Sequence, residues 1–171
     1  PQELGFLIEA LREMEQDGDI VKTRRGKYGV PEKMNLVVGH VECHSAGFGF
    51  LIPKDIAIDD IYISGEDLNG AMHQDLVIVR PKIKAKSGAR CEGEVIRILK
   101  RAFDKVVGIV ERDKNFAFVI PDDKRFYYDI FIPKDEINNA KTGQKVVVKI
   151  TKWPKKRRNP EGKIIEILGY K

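Results

Sequence analysis

Gly47-Phe48-Gly49-Phe50-Leu51 and, shortly after it, Asp60-Ile61-Tyr62-Ile63 carry the alternation that decides how this chain folds. Successive side chains of a strand point to opposite faces, so Phe48 and Phe50 share one face and Gly49 takes the other. Ile61 and Ile63 flank Tyr62 in the same way. With the isoleucines turned to a core, Tyr62 faces outward beside the two phenylalanines. The pattern returns along the chain. Asp129-Ile130-Phe131-Ile132 repeats the second stretch 69 residues later, and the same offset relates Gly39 to Gly108, Val77 to Val146, Gly93 to Gly162 and Leu99 to Leu168. Phe116-Ala117-Phe118 repeats Phe48-Gly49-Phe50 at an offset of 68, one deletion in a turn being offset by one insertion. A period this long signals a duplicated domain, not a solenoid.

Each copy reads as five short strands. In the first they span about 36–44, 48–53, 60–64, 75–80 and 90–99; in the second, 105–112, 116–121, 128–132, 144–151 and 162–168. Turn signals separate them: Ser45-Ala46-Gly47, Asn69-Gly70, Asp122-Asp123 and Thr142-Gly143. Five strands in so few residues, with a longer link between the third and fourth, fit a small closed barrel of the OB type. One ten-stranded sandwich is the alternative, and the repeat favours two barrels. Before them, Leu4, Leu7, Ile8, Leu11 and Met14 recur at helical spacing, Asp17-Gly18-Asp19 stops that helix, and residues 20–28 read as a hairpin with a basic tip. A helix and a hairpin bury no core alone, so this part reads as the end of a winged-helix domain. The expected organisation is a mainly β chain: 1–33 the C-terminal part of a winged helix, 34–101 and 102–171 two tandem five-stranded OB-fold domains.

The 171 residues carry a net charge of +5, and its location is informative. Between Lys152 and Lys163 lie six basic residues and one acid, leaving 25 of each sign elsewhere. A basic loop on a neutral body points to a polyanion. In the first copy Lys82, Lys84, Lys86 and Arg90 fill the link between the fourth and fifth strands; in the second, Lys155, Lys156, Arg157 and Arg158 fill the same link. In OB barrels this link borders the ligand groove. No apolar run approaches the length of a membrane span, and no basic head with an apolar stretch marks a signal peptide. Cys43 and Cys91 are too few for a disulfide scaffold and read as reduced thiols of a cytoplasmic protein. His40 and His44 would lie about 13 Å apart along a strand, too far to share an ion.

Six of the fourteen aromatic residues fall at the repeated positions Phe48, Phe50, Tyr62, Phe116, Phe118 and Phe131. An outward aromatic cluster is costly in water unless something covers it. Unpaired bases would do so by stacking, each for about 1–3 kcal/mol, while neighbouring cations track phosphates. Packing of the rings in a core or domain interface is the competing explanation. No nucleophile–base pair, phosphate-binding loop or ligand cluster appears, so no residue reads as catalytic and no cofactor is implied within the chain.

Gly47-Phe48-Gly49-Phe50-Leu51 and Asp60-Ile61-Tyr62-Ile63 resemble the two RNA-contact motifs of cold-shock domains. Preceded by Arg24-Arg25-Gly26-Lys27-Tyr28-Gly29-Val30-Pro31-Glu32-Lys33, the tandem resembles the amino-terminal region of the bacterial ribonuclease R family. That resemblance implies a hydrolytic 3′–5′ exoribonuclease using a divalent metal, magnesium, held by aspartates in a domain beginning after Lys171. It further implies that this region captures single-stranded RNA and guides it to that domain. Departures from the motif are Ala46 where a lysine is usual, Ser64 and Pro133 where a histidine often follows, and Asn115 and Ala117 in place of glycines. A free-standing RNA chaperone and a protein-interaction scaffold are the alternatives.

Overall fold

A computed structural model describes residues 2–82, 90–155 and 158–170. They form two compact units, residues 1–42 with 48–102 and residues 43–47 with 103–171.

The first unit opens with α1 (Gln2–Asp17). Gly18 ends it at φ +79°, a conformation that costs glycine nothing, and the Asp19 N–H donates back to the Met14 carbonyl at 2.8 Å. The hairpin of β1 (Val21–Lys22) and β2 (Tyr28–Gly29) follows. A five-stranded sheet then runs β5 (Ile61–Ile63), β4 (Gly49–Pro53), β3 (Val37–Cys43), β6 (Leu76–Pro81), β7 (Gly93–Lys100). Its ends meet at one parallel bridge, Tyr62 with Glu92, where the Tyr62 N–H donates to the Cys91 carbonyl at 2.9 Å. Val41, Leu51, Ile61, Ile63, Val77 and Val79 fill the interior, each essentially inaccessible.

The second unit repeats this design. It is a closed barrel in the order β10 (Ile130–Pro133), β12 (Glu161–Tyr170), β11 (Gln144–Lys152), β8 (Lys105–Arg112), β9 (Phe116–Pro121). Its seam is the equivalent pair, Phe131 with Glu161, and the Phe131 N–H donates to the Pro160 carbonyl, again at 2.9 Å. The repeated glycine 93/162 has a packing reason. A Cβ on Gly93 would reach Val79 and Ile61, and one on Gly162 would meet Val148 and Ile130, the residues 69 further on. Asn69 and Asn138 both hold left-handed backbone, and their side-chain amides donate across the barrel to the carbonyls of Val95 and Ile164 respectively. This is a mainly β chain of two OB-type units, with the alternation of the sequence realised in β4, β5, β9 and β10.

Candidate nucleic-acid interface

Gly49 is buried on the inner side of β4, while Phe48 and Phe50 lie half-buried on the other. Phe50 stands opposite Tyr62 in the antiparallel pair β4–β5. The three rings form a triangle with centroids 5.9 Å (Phe48–Phe50), 5.5 Å (Phe48–Tyr62) and 5.6 Å (Phe50–Tyr62) apart. In the second unit Ala117 is buried and Phe118 faces Phe131 across β9–β10. That triangle has sides of 5.7 Å (Phe116–Phe118), 5.8 Å (Phe116–Phe131) and 5.7 Å (Phe118–Phe131). In each, one pair lies nearer to parallel, Phe48–Tyr62 at 40° and Phe116–Phe131 at 29°, and the other pairs are edge-on. Edge-to-face packing is the preferred arrangement of the ring quadrupoles and holds the triangles together.

The two platforms differ in their cations. The Arg90 guanidinium lies 3.6 Å from the centroid of Tyr62, over its face, and also meets Glu92 at 3.7 Å. The residue equivalent to Arg90 in the second unit is Asn159, so Phe131 has no such cover from that position. Lys82 is not a free charge. Its ammonium bonds the Asp67 carboxylate at 2.6 Å, and that bond holds the Lys82 pKa above its ordinary value. Lys155 and Arg158 are exposed and pair backbone to backbone, with the Arg158 N–H donating to the Lys155 carbonyl at 2.8 Å. The neighbouring Trp153 packs against the barrel core. Lys84, Lys86, Lys156 and Arg157, also singled out in the sequence, lie outside the described residues.

Two features escaped the sequence reading. One is the seating of Arg90 on Tyr62. The other is Asp75, fully buried at the head of β6, which accepts from the Met72 N–H (2.9 Å), the Ala102 N–H (3.0 Å) and the Arg101 guanidinium (2.9 Å). Burial pushes the Asp75 carboxyl up and the Arg101 guanidinium down. An acid just before one strand and a base just past the end of another leave no periodic trace, so no sequence signal pointed to the pair. Among the described residues no group of three or more His, Cys, Asp or Glu is arranged to hold a metal.

Two family models match the chain: the Ribonuclease B OB domain over residues 39–98 and the Cold shock domain over residues 118–171. Ribonuclease R of Escherichia coli is 39% identical over 168 residues, which is 98% of this chain. Over nearly its whole length the chain is similar to ribonuclease R. It corresponds to the amino-terminal region and spans 20% of the length of the Escherichia coli ribonuclease R. The solved structure of Mycoplasma genitalium ribonuclease R in complex with ribose methylated single-stranded RNA superposes with a TM-score of 0.70 at 25% identity, covering 78% of this chain and 22% of that one. A yeast pseudonuclease shares the fold at a TM-score of 0.69 and 19% identity, over 81% of this chain and 23% of its own.

Proposed function

We propose that the two aromatic triangles are stacking platforms for single-stranded RNA, and that this region captures RNA and guides it to a catalytic domain elsewhere in a ribonuclease R-type 3′–5′ exoribonuclease. The observation that carries the reading is the repetition of the platform. Three half-buried rings sit at equivalent positions on the outer side of both barrels, where a core or a solvated surface would require none. Stacking tolerates any base, which suits a protein that must follow a strand without reading it. The RNA-bound relative from Mycoplasma genitalium supports the partner. In this reading the exposed Lys155 and Arg158, with Arg90, meet phosphates or rings, and hydrolysis with magnesium belongs to the domain beyond. Residues 1–33 are the end of a winged helix, and the protein works in the cytoplasm.

The test uses the 171-residue chain with a 3′-tailed RNA and magnesium. Binding with the RNA left intact is the expected result. Phe48→Ala with Tyr62→Ala weakens binding by about 1–3 kcal/mol per stack removed, with the melting temperature held. Release of mononucleotides by the chain itself, or unchanged affinity with a collapsed melting temperature, defeats the reading.

A further inference from the structure

The duplication supplies an internal standard for the outer face of the second barrel. In the first unit Leu36, Val38, Leu76 and Ile78 form a small core of their own with Val21 of the hairpin, and Leu99 packs against it. The end of α1 lies directly on it: a Cβ on Gly18 would come within 2.5 Å of Val38 Cγ1 and 2.9 Å of Leu99 Cδ1. Arg97 of the same face meets Glu15 of α1 at 3.8 Å. This side of the first barrel is thus closed by a helix end and a hairpin.

The second barrel carries the same face without the cover. Residues 69 further on are Lys105, Val107, Lys145, Val147 and Leu168, and β11–β12 bulges at the two places where β6–β7 bulges. Val38 is 8% exposed and Val107 39%; Leu168 is 50% exposed and the neighbouring Ile165 44%. Beside this apolar patch Lys105 stands opposite Lys149, and Lys149 opposite Lys163, with no ion pair to any of the three among the described residues. Like charges directly opposite on a sheet destabilise it, so the row is unfavourable until acid meets it. Lys145 is already paired with Asp122 at 2.8 Å, and Glu166 occupies the position of Arg97.

We infer that this face is the docking surface for a helical segment of the same polypeptide lying outside residues 1–171. That segment seats apolar side chains on Val107, Val147 and Leu168. It turns acids toward the Lys105–Lys149–Lys163 row and a base toward Glu166, the reverse of the Arg97–Glu15 pairing in the first unit. RNA would meet the lysines but leave the aliphatic patch wet. A two-fold pairing of two copies would set the lysine row against itself. The chain spans 20% of the relative from Escherichia coli, so most of a protein of that length lies outside this region and offers ample source for a covering segment.

The experiment places a photo-cross-linking phenylalanine analogue at Val107 or at Leu168 in the full-length protein, with Lys124 as a control position. The expected product is an intramolecular link, at monomer mass, to a peptide outside residues 1–171 that carries acids beside its apolar residues. Its yield stands severalfold above the control and falls severalfold when Lys105, Lys149 and Lys163 are all changed to glutamate. Circular dichroism of each variant confirms that the fold is kept. Links to a second copy, links to added single-stranded RNA, or a yield equal to the control overturn the inference. None of these outcomes depends on whether the aromatic triangles bind RNA.

Discussion

Asp75 shows how one position can serve the same geometry by two chemistries. In the first unit its carboxylate accepts from the Met72 N–H; in the second, Gln144 stands at the equivalent position and its Oε1 accepts from the Lys141 N–H at 2.8 Å. The amide avoids the cost of desolvating a charge, and the carboxylate gains Arg101 in exchange. Burial raises the folded pKa of Asp75 above its ordinary value of 3.8 despite that partner. The folded state therefore binds the proton more tightly than the unfolded chain. The resulting stability is fully present below the unfolded value and is lost as pH rises through the folded one. Asp75→Asn turns an amide NH2 toward donors that the carboxylate accepts from, and destabilises by about 1–3 kcal/mol. Beyond that constant cost, wild-type stability relative to the variant should decline as pH rises from 3.8 through the folded value. Denaturant titrations of both proteins from mildly acid to neutral pH measure this. A gap that widens with pH would mean that Arg101 and the two N–H donors outweigh burial.

At the scale of elements, the strands were legible because their interior residues alternate so regularly. Ile61, Ile63, Ile130 and Ile132 are fully buried, and the rings between them are not. The links between the fourth and fifth strands were legible only as composition. Sequence alone could not show that Lys82 is bonded to Asp67 and that Arg90 lies on Tyr62, because the partners come from other segments. The electrostatic roles of the two links therefore differ more than their sequences suggest. Lys155 and Arg158 are exposed beside a core-anchored Trp153. Replacing Lys155, Lys156, Arg157 and Arg158 by alanine should flatten the salt dependence of RNA binding by a slope of about 0.7 for each phosphate no longer neutralised. Lys82→Ala should move the slope less, since its charge is already matched. Affinities over a salt series for the three proteins decide this, and an unchanged slope in the four-alanine variant places those cations away from RNA.

For the whole molecule, the 69-residue period carried most of the fold, since the seam, the bulges and the asparagine cross-links all recur at that offset. It could not reveal where the copies diverge in their surroundings. Val38 and Val107 are the same residue type, yet one is covered and the other open. Two platforms on one chain also make binding a question of valency. Single OB units occupy about 4–16 nucleotides, so affinity should rise as oligomers lengthen past one site, then level off. With Phe116 and Phe131 changed to alanine, the gain from lengthening should shrink toward that of one platform. A length series by fluorescence anisotropy reads this out; an equal gain in wild type and variant would show that only the first platform engages.

The seams have a mechanical consequence. Tyr62 and Phe131 each carry a platform ring on the side chain and a barrel-closing N–H on the backbone. A strand of RNA held on those rings while being drawn elsewhere would load the closing hydrogen bond directly, through a single residue. Tension on a strand so held and the integrity of the barrel would then meet at one atom pair in each unit, 2.9 Å apart in both.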